Sequence, residues 1–594
     1  MNILGISAFY HDSAASLVRD GEIIAAAQEE RFTRVKHDFS FPINAINYCL
    51  AEGQVKAQKL DLVAFYDKPL LKLERILQTY LEFAPLGLRS FVKAIPIWAK
   101  QKLRLRELIQ KQLGYEGTII FPEHHESHAA AAFFPSPYLE AAFLTIDGVG
   151  EWATTSYGVG KKNKITILSE MQFPHSLGLL YSAFTYYIGF RINSGEYKVM
   201  GLAPYGEPKY KEIILSELMD LKEDGSFKLN MKYFDYCVGC TMVNDSFESL
   251  FGGHPRIPDS EIRQRDMDLA CSIQEVVEEV ISRMTRHIYN ETKQRDLCLA
   301  GGVALNCVAN GRILREGPFE NIWIQPAAGD AGGALGAALF TWYHYLGKPR
   351  PADGSKDMMK ASYLGPEFSN QEILACLNQN NFTYSELPDS ELIEKIADLI
   401  AEQKTLGWFQ GRMEFGPRAL GNRSIIGDAR SPTMRENINL NIKLREEFRP
   451  FAPTVLKEKV SEFFDILVES PYMLLVAPVK EEIRKNMTPQ EAGLRGLDKL
   501  RVVRSNIPAV THVDYTARIQ TIEFEDNPLY YRMIAKFEEK YGCPVIINTS
   551  FNIRGEPIVC SPEDALRCLM KSKMDYLVIG NYLIERKFQN YVDK

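Results

Sequence analysis

The sequence predicts an α/β protein of more than one domain, and three observations carry that expectation. Short apolar runs end repeatedly in Asp-Gly or Gly-Gly and feed directly into helical segments. The chain has 594 residues, more than one hydrophobic core usually supports. A stretch at 346–369, rich in Pro, Gly, Ser and charge, has the composition of a linker. In open α/β sheets, ligands gather at the carboxyl ends of the strands.

Taken in order, residues 3–6 and 14–18 are apolar strand-like runs separated by Phe9-Tyr10-His11-Asp12-Ser13. The Asp20-Gly21 turn before residues 22–27 is a hairpin signal. Residues 118–121 form a short strand, followed by Pro122 and an alanine-rich helix carrying His124, His125 and His128. The apolar run 142–146 ends at Asp147-Gly148-Val149-Gly150. Later, strand 297–300 meets the Gly301-Gly302 turn, and 303–314 reads as helix. Strand 322–324 is stopped by Pro326, and Asp330 opens a Gly/Ala-rich helix through 338. A hairpin start followed by mixed strand–helix units fits two related lobes around a nucleotide cleft, although no repeat in the residues demonstrates duplication. Beyond the linker, helices at 370–378 and 392–403, and strands at 405–409 and near 473–477 and 544–547, predict a separate α/β domain. The boundary falls at 355/356, giving domains 1–355 and 356–594.

Composition narrows the function classes. With 69 Lys+Arg against 76 Asp+Glu, the net charge is −7, which argues against a protein built mainly to grip nucleic acid. No apolar run of about 18 residues suggests a membrane span, and the first residues lack the pattern of a secretory signal. Ten scattered cysteines suit free thiols in a reducing, cytoplasmic location. Cys237 and Cys240 have C-x-x-C spacing without a matching second pair, so two ordinary thiols are expected.

His124 and His128 lie four residues apart on a predicted helix, so both imidazoles project from one face and can chelate a transition metal; His125 competes for the place. Asp147 and Asp330 each stand at a strand end beside glycines, where they either face a cleft or cap a helix. Two imidazoles and two carboxylates suit a divalent metal that keeps positions open for phosphate or acyl oxygens. The glycine-rich segments 147–150, 301–306 and 329–333 let a backbone approach an anion, but match neither a Walker loop nor G-x-G-x-x-G. The second half carries Arg412, Arg418 and Arg423, then Lys443, Arg445 and Arg449, and Arg518 with His512 and Asp514 nearby. Arginines that interrupt Gly/Pro turns suit bidentate capture of phosphate or carboxylate.

At this point the sequence resembles the O-carbamoyltransferases of nodulation-factor, cephamycin and aminoglycoside tailoring, over essentially its whole length. The matching blocks are HDSAA at 11–15, EERFTRVKH at 29–37, HHESHAA at 124–130, SGEYKVMGLAPYG at 194–206 and AGGVALN at 300–306. They continue with GDAGGALGA at 329–337, RMEFGPRALGNRSI at 412–425, FRPFAP at 448–453, HVDYTARIQT at 512–521 and NTSFNIRGEPIV at 548–559. The resemblance implies a duplicated actin-like ATPase domain at the N-terminus, like the enzyme that builds threonylcarbamoyladenosine on tRNA. It also implies a C-terminal α/β domain like the carbamoyl-adenylate synthase of that pathway (YrdC-like).

By the same resemblance, Fe2+, or another divalent transition metal, binds His124, His128, Asp147 and Asp330, with His124 preferred over His125. Carbamoyl phosphate is held by Arg412, Arg418, Arg423, Lys443, Arg445, Arg449, His512, Arg518 and Asn548. The second domain adenylates carbamate with ATP and Mg2+, and the adenylate meets Lys36, Glu196 and Lys198 together with Gly148, Gly150, Gly301, Gly302 and Asn306. AMP leaves far better than hydroxide, and a water-excluded path protects the intermediate. His11 and Asp12, with Asp147 at the metal, are the expected catalytic groups toward a small-molecule hydroxyl; a turn cap plus a structural histidine is the alternative for the first two. The insertion at 66–116 either shapes the acceptor pocket or is a surface-helix subdomain. No nucleic acid or membrane partner is expected, and a homodimer is the default assembly. The rival readings are the tRNA-modifying enzyme itself and an actin-like ATPase chaperone or scaffold, which would have no use for the arginine cluster.

Overall fold

The computed structural model describes residues 1–92 and 104–589. They fall into two compact units, one of Met1–Glu29 and Phe39–Met358, the other of Glu30–Asp38 and Met359–Lys594. Within the insertion, residues 93–103, most of its basic stretch, lie outside the described residues.

The first unit holds two sheets of the same design. In the first, β1 (Asn2–Ser7), β2 (Ala14–Arg19) and β3 (Glu22–Gln28) form an antiparallel meander. β1 then pairs in parallel with β4 (Leu62–Phe65), and β4 with β5 (Ile119–Ile120), for the order 3-2-1-4-5. In the second, β6 (Glu140–Ile146), β7 (Ala153–Lys161) and β8 (Lys164–Gln172) form the meander. After a small ribbon of β9 (Met219–Leu221) and β10 (Phe227–Leu229), strands β11 (Asp296–Ala300) and β12 (Asn321–Ile324) extend that sheet in parallel from β6. Three meandering strands with two parallel additions, built twice, are the duplicated sheet of the actin-like ATPase fold. The repeat is one of topology, which is why the residues alone do not display it.

The helices used below are α1 (Pro69–Glu82), α2 (His124–Phe133), α3 (Glu196–Leu202), α4 (Gln264–Thr292), α5 (Cys307–Glu316) and α6 (Asp330–Leu339). The helix expected at 303–314 is split: Gly302–Leu305 is a 3-10 turn, and α5 begins only after Asn306, whose side chain accepts from Ala309 N at 3.1 Å. Small residues bring the layers close. A Cβ on Gly5 would lie 1.9 Å from Ala334 O, and one on Gly336 would lie 1.9 Å from Ser127 O. These two positions seat α6 against β1 and α2, so the start of α6 is brought to the histidine face of α2.

The linker-like stretch is pinned rather than loose. Arg350 donates to the carbonyls of Phe133, Phe134, Ser136 and Tyr138, and Trp323 Nε1 donates to Asp357 at 2.9 Å, so residues up to 358 belong to the first unit. Ser362 Oγ donates to Phe415 O and Tyr363 OH to Leu420 O at 2.8 Å, tying the next residues to the second. The break therefore follows Met358, and the segment Glu30–Asp38 departs from the expected first domain. Arg34 fixes it in the second unit, donating to Ile558 O at 2.7 Å and Pro557 O at 2.8 Å, and Phe32 packs on Met413, Ile558 and Cys560.

The second unit is one mixed nine-stranded sheet. Its strands are β13 (Ser385–Glu386), β14 (Leu406–Phe409), β15 (Arg423–Asp428), β16 (Ala452–Leu456), β17 (Leu475–Pro478), β18 (Thr516–Ile522), β19 (Val545–Ser550), β20 (Tyr576–Ile579) and β21 (Tyr582–Glu585), in the order 13-21-20-14-15-19-16-18-17. Helices α7 (Asp389–Ala401), α8 (Pro528–Tyr541) and α9 (Pro562–Lys571) pack on it. No described helix is long and apolar enough to cross a membrane.

Candidate active site

Four of the sequence-selected residues converge in the first unit. His124 and His128 share the inner face of α2, Asp147 follows directly after β6, and Asp330 is the first residue of α6. One donor atom from each lies within 4.8 Å of the other three, and all four side chains are buried. His124 Nε2 is 2.9 Å from Asp147 Oδ2 and 3.0 Å from His128 Nε2, and Asp330 Oδ1 lies 3.8 Å from both imidazoles.

The chemistry of this set fits a metal ion. Asp330 is wholly buried, yet neither carboxylate oxygen has a hydrogen-bond partner among the described residues. A buried carboxylate without donors is strongly unfavourable unless a cation meets it. The two Nε2 atoms stand 3.0 Å apart and both face Asp147 Oδ2, at 2.9 and 3.4 Å. Burial disfavours charge on Asp147, but its hydrogen bonds to His124 and His128 hold its carboxyl well below the usual range. The other oxygen of Asp147 accepts from Gly302 N at 3.2 Å, so the Gly301-Gly302 turn orients a ligand carboxylate. Gly301 has φ +86, and a Cβ there would lie 2.3 Å from Ile146 O.

His125, which spacing alone admits as a competitor, turns the other way. Its Nδ1 is 2.9 Å from both Thr145 Oγ1 and Ser156 Oγ, inside the β6–β7 layer. His11 and Asp12 stand at the β1–β2 turn, 3.1 Å apart, with His11 Nε2 3.8 Å from Asp330 Oδ2. Asp12 holds φ +52, a left-handed turn conformation that Asp adopts more readily than most residues.

Two residues that sequence reading missed shape the cluster. Glu151, buried, accepts from His124 N at 3.1 Å and from Lys68 N at 2.7 Å, clamping the start of α2. The Tyr66 ring meets His124 edge-on at 5.3 Å. Both come from other loops, and nothing in local spacing marks them. Gly150 makes room for His124, since a Cβ there would lie 3.0 Å from the His124 Cβ, and Gly148 is in open contact with Leu179.

The remaining residues expected at the nucleotide separate. Glu196 is engaged at the start of α3, accepting from Ser182 Oγ, Asn193 N and Gly195 N. Lys198 Nζ stands 5.1 Å over the Phe190 ring, and Asn306 exchanges amide hydrogen bonds with Gln274 of α4. Lys36 belongs to the second unit, whereas the other residues expected at the nucleotide belong to the first.

In the second unit, Lys443, Arg445, Arg449 and Lys36 form one cationic cluster. Lys443 Nζ donates to Ser550 Oγ at 3.1 Å and Asn552 Oδ1 at 2.6 Å; burial, with the charges of Arg445, Arg449 and Lys36, pulls its pKa well below the ordinary lysine range. Arg445 Nε donates to Asn439 Oδ1 at 2.7 Å, and Arg449 Nη1 is 3.9 Å from Glu446. Arg412 donates to the carbonyls of Gly365 and Leu364, while Arg418 is half-buried in the 411–420 loop. Arg518 lies on β18 opposite Val476, and His512 Nδ1 is 3.5 Å from Asp514.

Two expectations need correction. Arg423 is wholly buried, donates to the carbonyls of Gln410, Gly411, Asn422 and Pro366, and stacks 3.7 Å over Phe409. It ties loops together rather than facing an anion. Asn548 is also interior: its Nδ2 donates to Gln520 at 2.8 Å and Thr454 at 3.2 Å within the sheet's polar layer. Glu414, unmarked in the sequence, completes the loop scaffold by accepting from Leu420, Asn422 and Arg423 backbone N–H groups.

The carbamoyltransferase N-terminus family matches residues 2–339, and the carbamoyltransferase C-terminus family matches residues 397–586. The uncharacterized protein sll1178 of Synechocystis is 57% identical over 99% of this chain and 97% of its own length. The nodulation protein NolNO of Sinorhizobium fredii is 38% identical over 98% of this chain and 79% of its own. Nodulation protein U of Rhizobium tropici is 27% identical over 96% and 93%. With both halves matched in order, and with relatives aligned over nearly the whole chain, the protein belongs to the carbamoyltransferase family.

Proposed function

We propose that this chain is an O-carbamoyltransferase that uses carbamoyl phosphate and ATP and delivers the carbamoyl group to the hydroxyl of a small molecule. The observation that carries the reading is the buried convergence of His124, His128, Asp147 and Asp330, with both oxygens of Asp330 lacking a hydrogen-bond donor among the described residues. Family membership supports the carbamoyl chemistry.

In this reading, the cations Lys36, Arg445 and Arg449, grouped around buried Lys443, receive the phosphate of carbamoyl phosphate. Water cleaves the donor to carbamate and inorganic phosphate. A carbamate oxygen attacks the α-phosphorus of Mg2+-bound ATP, pyrophosphate departs, and carbamoyl-adenylate forms. The acceptor oxygen then attacks the carbamoyl carbon, the bond to the AMP oxygen breaks with its electrons leaving on AMP, and the hydroxyl proton passes to the protein.

At the transfer site, His124, His128, Asp147 and Asp330 hold Fe2+ or another divalent transition metal, which supplies polarisation of an acyl oxygen or compensation of phosphate charge. Gly302 N and Glu151 keep Asp147 and His124 oriented. In this reading His11 and Asp12, bonded to one another beside Asp330, orient and deprotonate the acceptor.

The test is pyrophosphate release from ATP by the purified full chain. Release that depends on carbamoyl phosphate, one equivalent per carbamoylated product, is expected. No release with both substrates present would end this reading.

A further inference from the structure

Helix α1 is built inside out. Its buried residues are Lys72, Arg75 and Thr79, which helical spacing places on one face, while Leu70 and Leu81 are exposed. Helices of soluble proteins ordinarily turn their apolar stripe inward and keep charge in water.

The two buried cations differ. Lys72 is paired, with Nζ 3.1 Å from Asp67 Oδ2. Arg75 is only 8% exposed, its Nε reaches no acceptor, and its guanidinium makes no ion pair among the described residues. It stacks 4.8 Å over the Phe173 ring. Glu151, whose charge it feels, is already engaged by the N–H groups of Lys68 and His124. Burial pulls Arg75 down to about 10, against the pull of Tyr10, Glu151 and Cys237.

The molecule shows elsewhere what a structural guanidinium looks like. Arg350 donates to four backbone carbonyls, Arg423 to four, and Arg256 to those of Ile188, Ile257 and Ser260. Among the described residues Arg75 has no such partners, and a buried cation without them is strongly destabilising.

Its position is beside the metal-type cluster. Tyr10 feels the charges of Asp330, Asp147 and Arg75, and its ring lies 4.5 Å from that of His11. Lys72, on the same face of α1, stands 5.2 Å over Tyr10 and 6.0 Å over Tyr66, whose ring meets His124. The cationic face of α1 thus borders the groups assigned to the acceptor hydroxyl.

We propose that Arg75 receives an anionic group of the acceptor, so that acceptors are hydroxylated carboxylates or phosphate esters rather than neutral sugars or polyols. The inference rests on the transferase reading above. A planar guanidinium matches either anion with two parallel N–H donors. The phosphate of an adenylate offers the same chemistry, so the test has to separate the two sources.

Arg75→Met keeps an unbranched stem and removes the charge. In thermal melting without ligand it should be no less stable than wild type, and higher by a few degrees if the unpaired charge is relieved. A lower melting temperature would mark a structural tie and overturn the proposal. In calorimetric binding, wild type should take glucuronate or glucose 6-phosphate about tenfold or more tightly than glucose, and Arg75→Met should lose that preference. Equal binding of the three probes, no binding of either anion, or a preference that survives the substitution would overturn it. A fall in carbamoyl-phosphate-dependent pyrophosphate release in Arg75→Met would assign the guanidinium to the nucleotide and likewise overturn it. Pyrophosphate release absent from wild type would instead fault the transferase reading, and the melting and binding comparisons would still judge Arg75.

Discussion

The histidine–aspartate set of the N-terminal half and the arginine set of the C-terminal half are equally conspicuous in the sequence, but they fold to different ends. His124, His128, Asp147 and Asp330 turn one donor atom each onto a common point, with every side chain buried. The arginine set divides. Lys36, Lys443, Arg445 and Arg449 stay together as a cationic cluster, while Arg423 gives its N–H groups to four carbonyls and Asn548 joins the polar layer of its sheet. The difference follows from the side chains. A carboxylate buried without donors has no structural use and calls for a cation, whereas a guanidinium with five donors can tie loops as well as it can hold an anion.

The largest effect should come from breaking the convergent set. His128→Ala should abolish metal binding and lower transfer by about a thousandfold, since metal polarisation is worth several kcal/mol and each 1.36 kcal/mol is tenfold. Metal analysis and product formation check it, and wild-type metal content would remove His128 from the ligand set. Next, Arg449→Ala should lower carbamoyl-phosphate-dependent pyrophosphate release by about a hundredfold, the loss of two charge-assisted hydrogen bonds, with metal content intact. An unchanged rate would refute its place at the donor phosphate. Arg423→Ala should act on the other side of the division. With buried carbonyls left unmet, it should lose about 2 kcal/mol of stability in denaturant unfolding. Unchanged stability with a raised KM for carbamoyl phosphate would return this arginine to the site.

Much of the histidine–aspartate set was legible because its signals are local. A four-residue spacing puts His124 and His128 on one helical face, and strand ends beside glycine put Asp147 and Asp330 at turns. Two related lobes were expected from the strand–helix units and the family resemblance, but their common strand order was not legible, because two lobes of the same topology need share no residues. Nor was the membership of Glu30–Asp38 in the second unit, which depends on Arg34 reaching Pro557 and Ile558 over five hundred residues away. The same limit hid Glu151 and the bond from Gly302 N to Asp147, which are contacts across the sequence, and it left Arg423 indistinguishable from the arginines around it. Composition misled once: residues 346–369 read as a linker, but Arg350 and Trp323 fasten their first half to the fold.

The finest test lies within one helix turn. His124 and His125 are adjacent and both buried, and spacing to His128 admits either as its partner. The structure separates them by what each ring meets: His124 Nε2 faces Asp147 and His128, whereas His125 Nδ1 faces the hydroxyls of Thr145 and Ser156. His125→Gln keeps a polar side chain that can reach those hydroxyls, so it should cost about 1 kcal/mol of stability and leave the bound metal in place. Metal analysis beside denaturant unfolding reads both quantities on one sample. A loss of metal matching that of His128→Ala, at unchanged stability, would move the ligand assignment from His124 to its neighbour and require α2 to present a different face to Asp330.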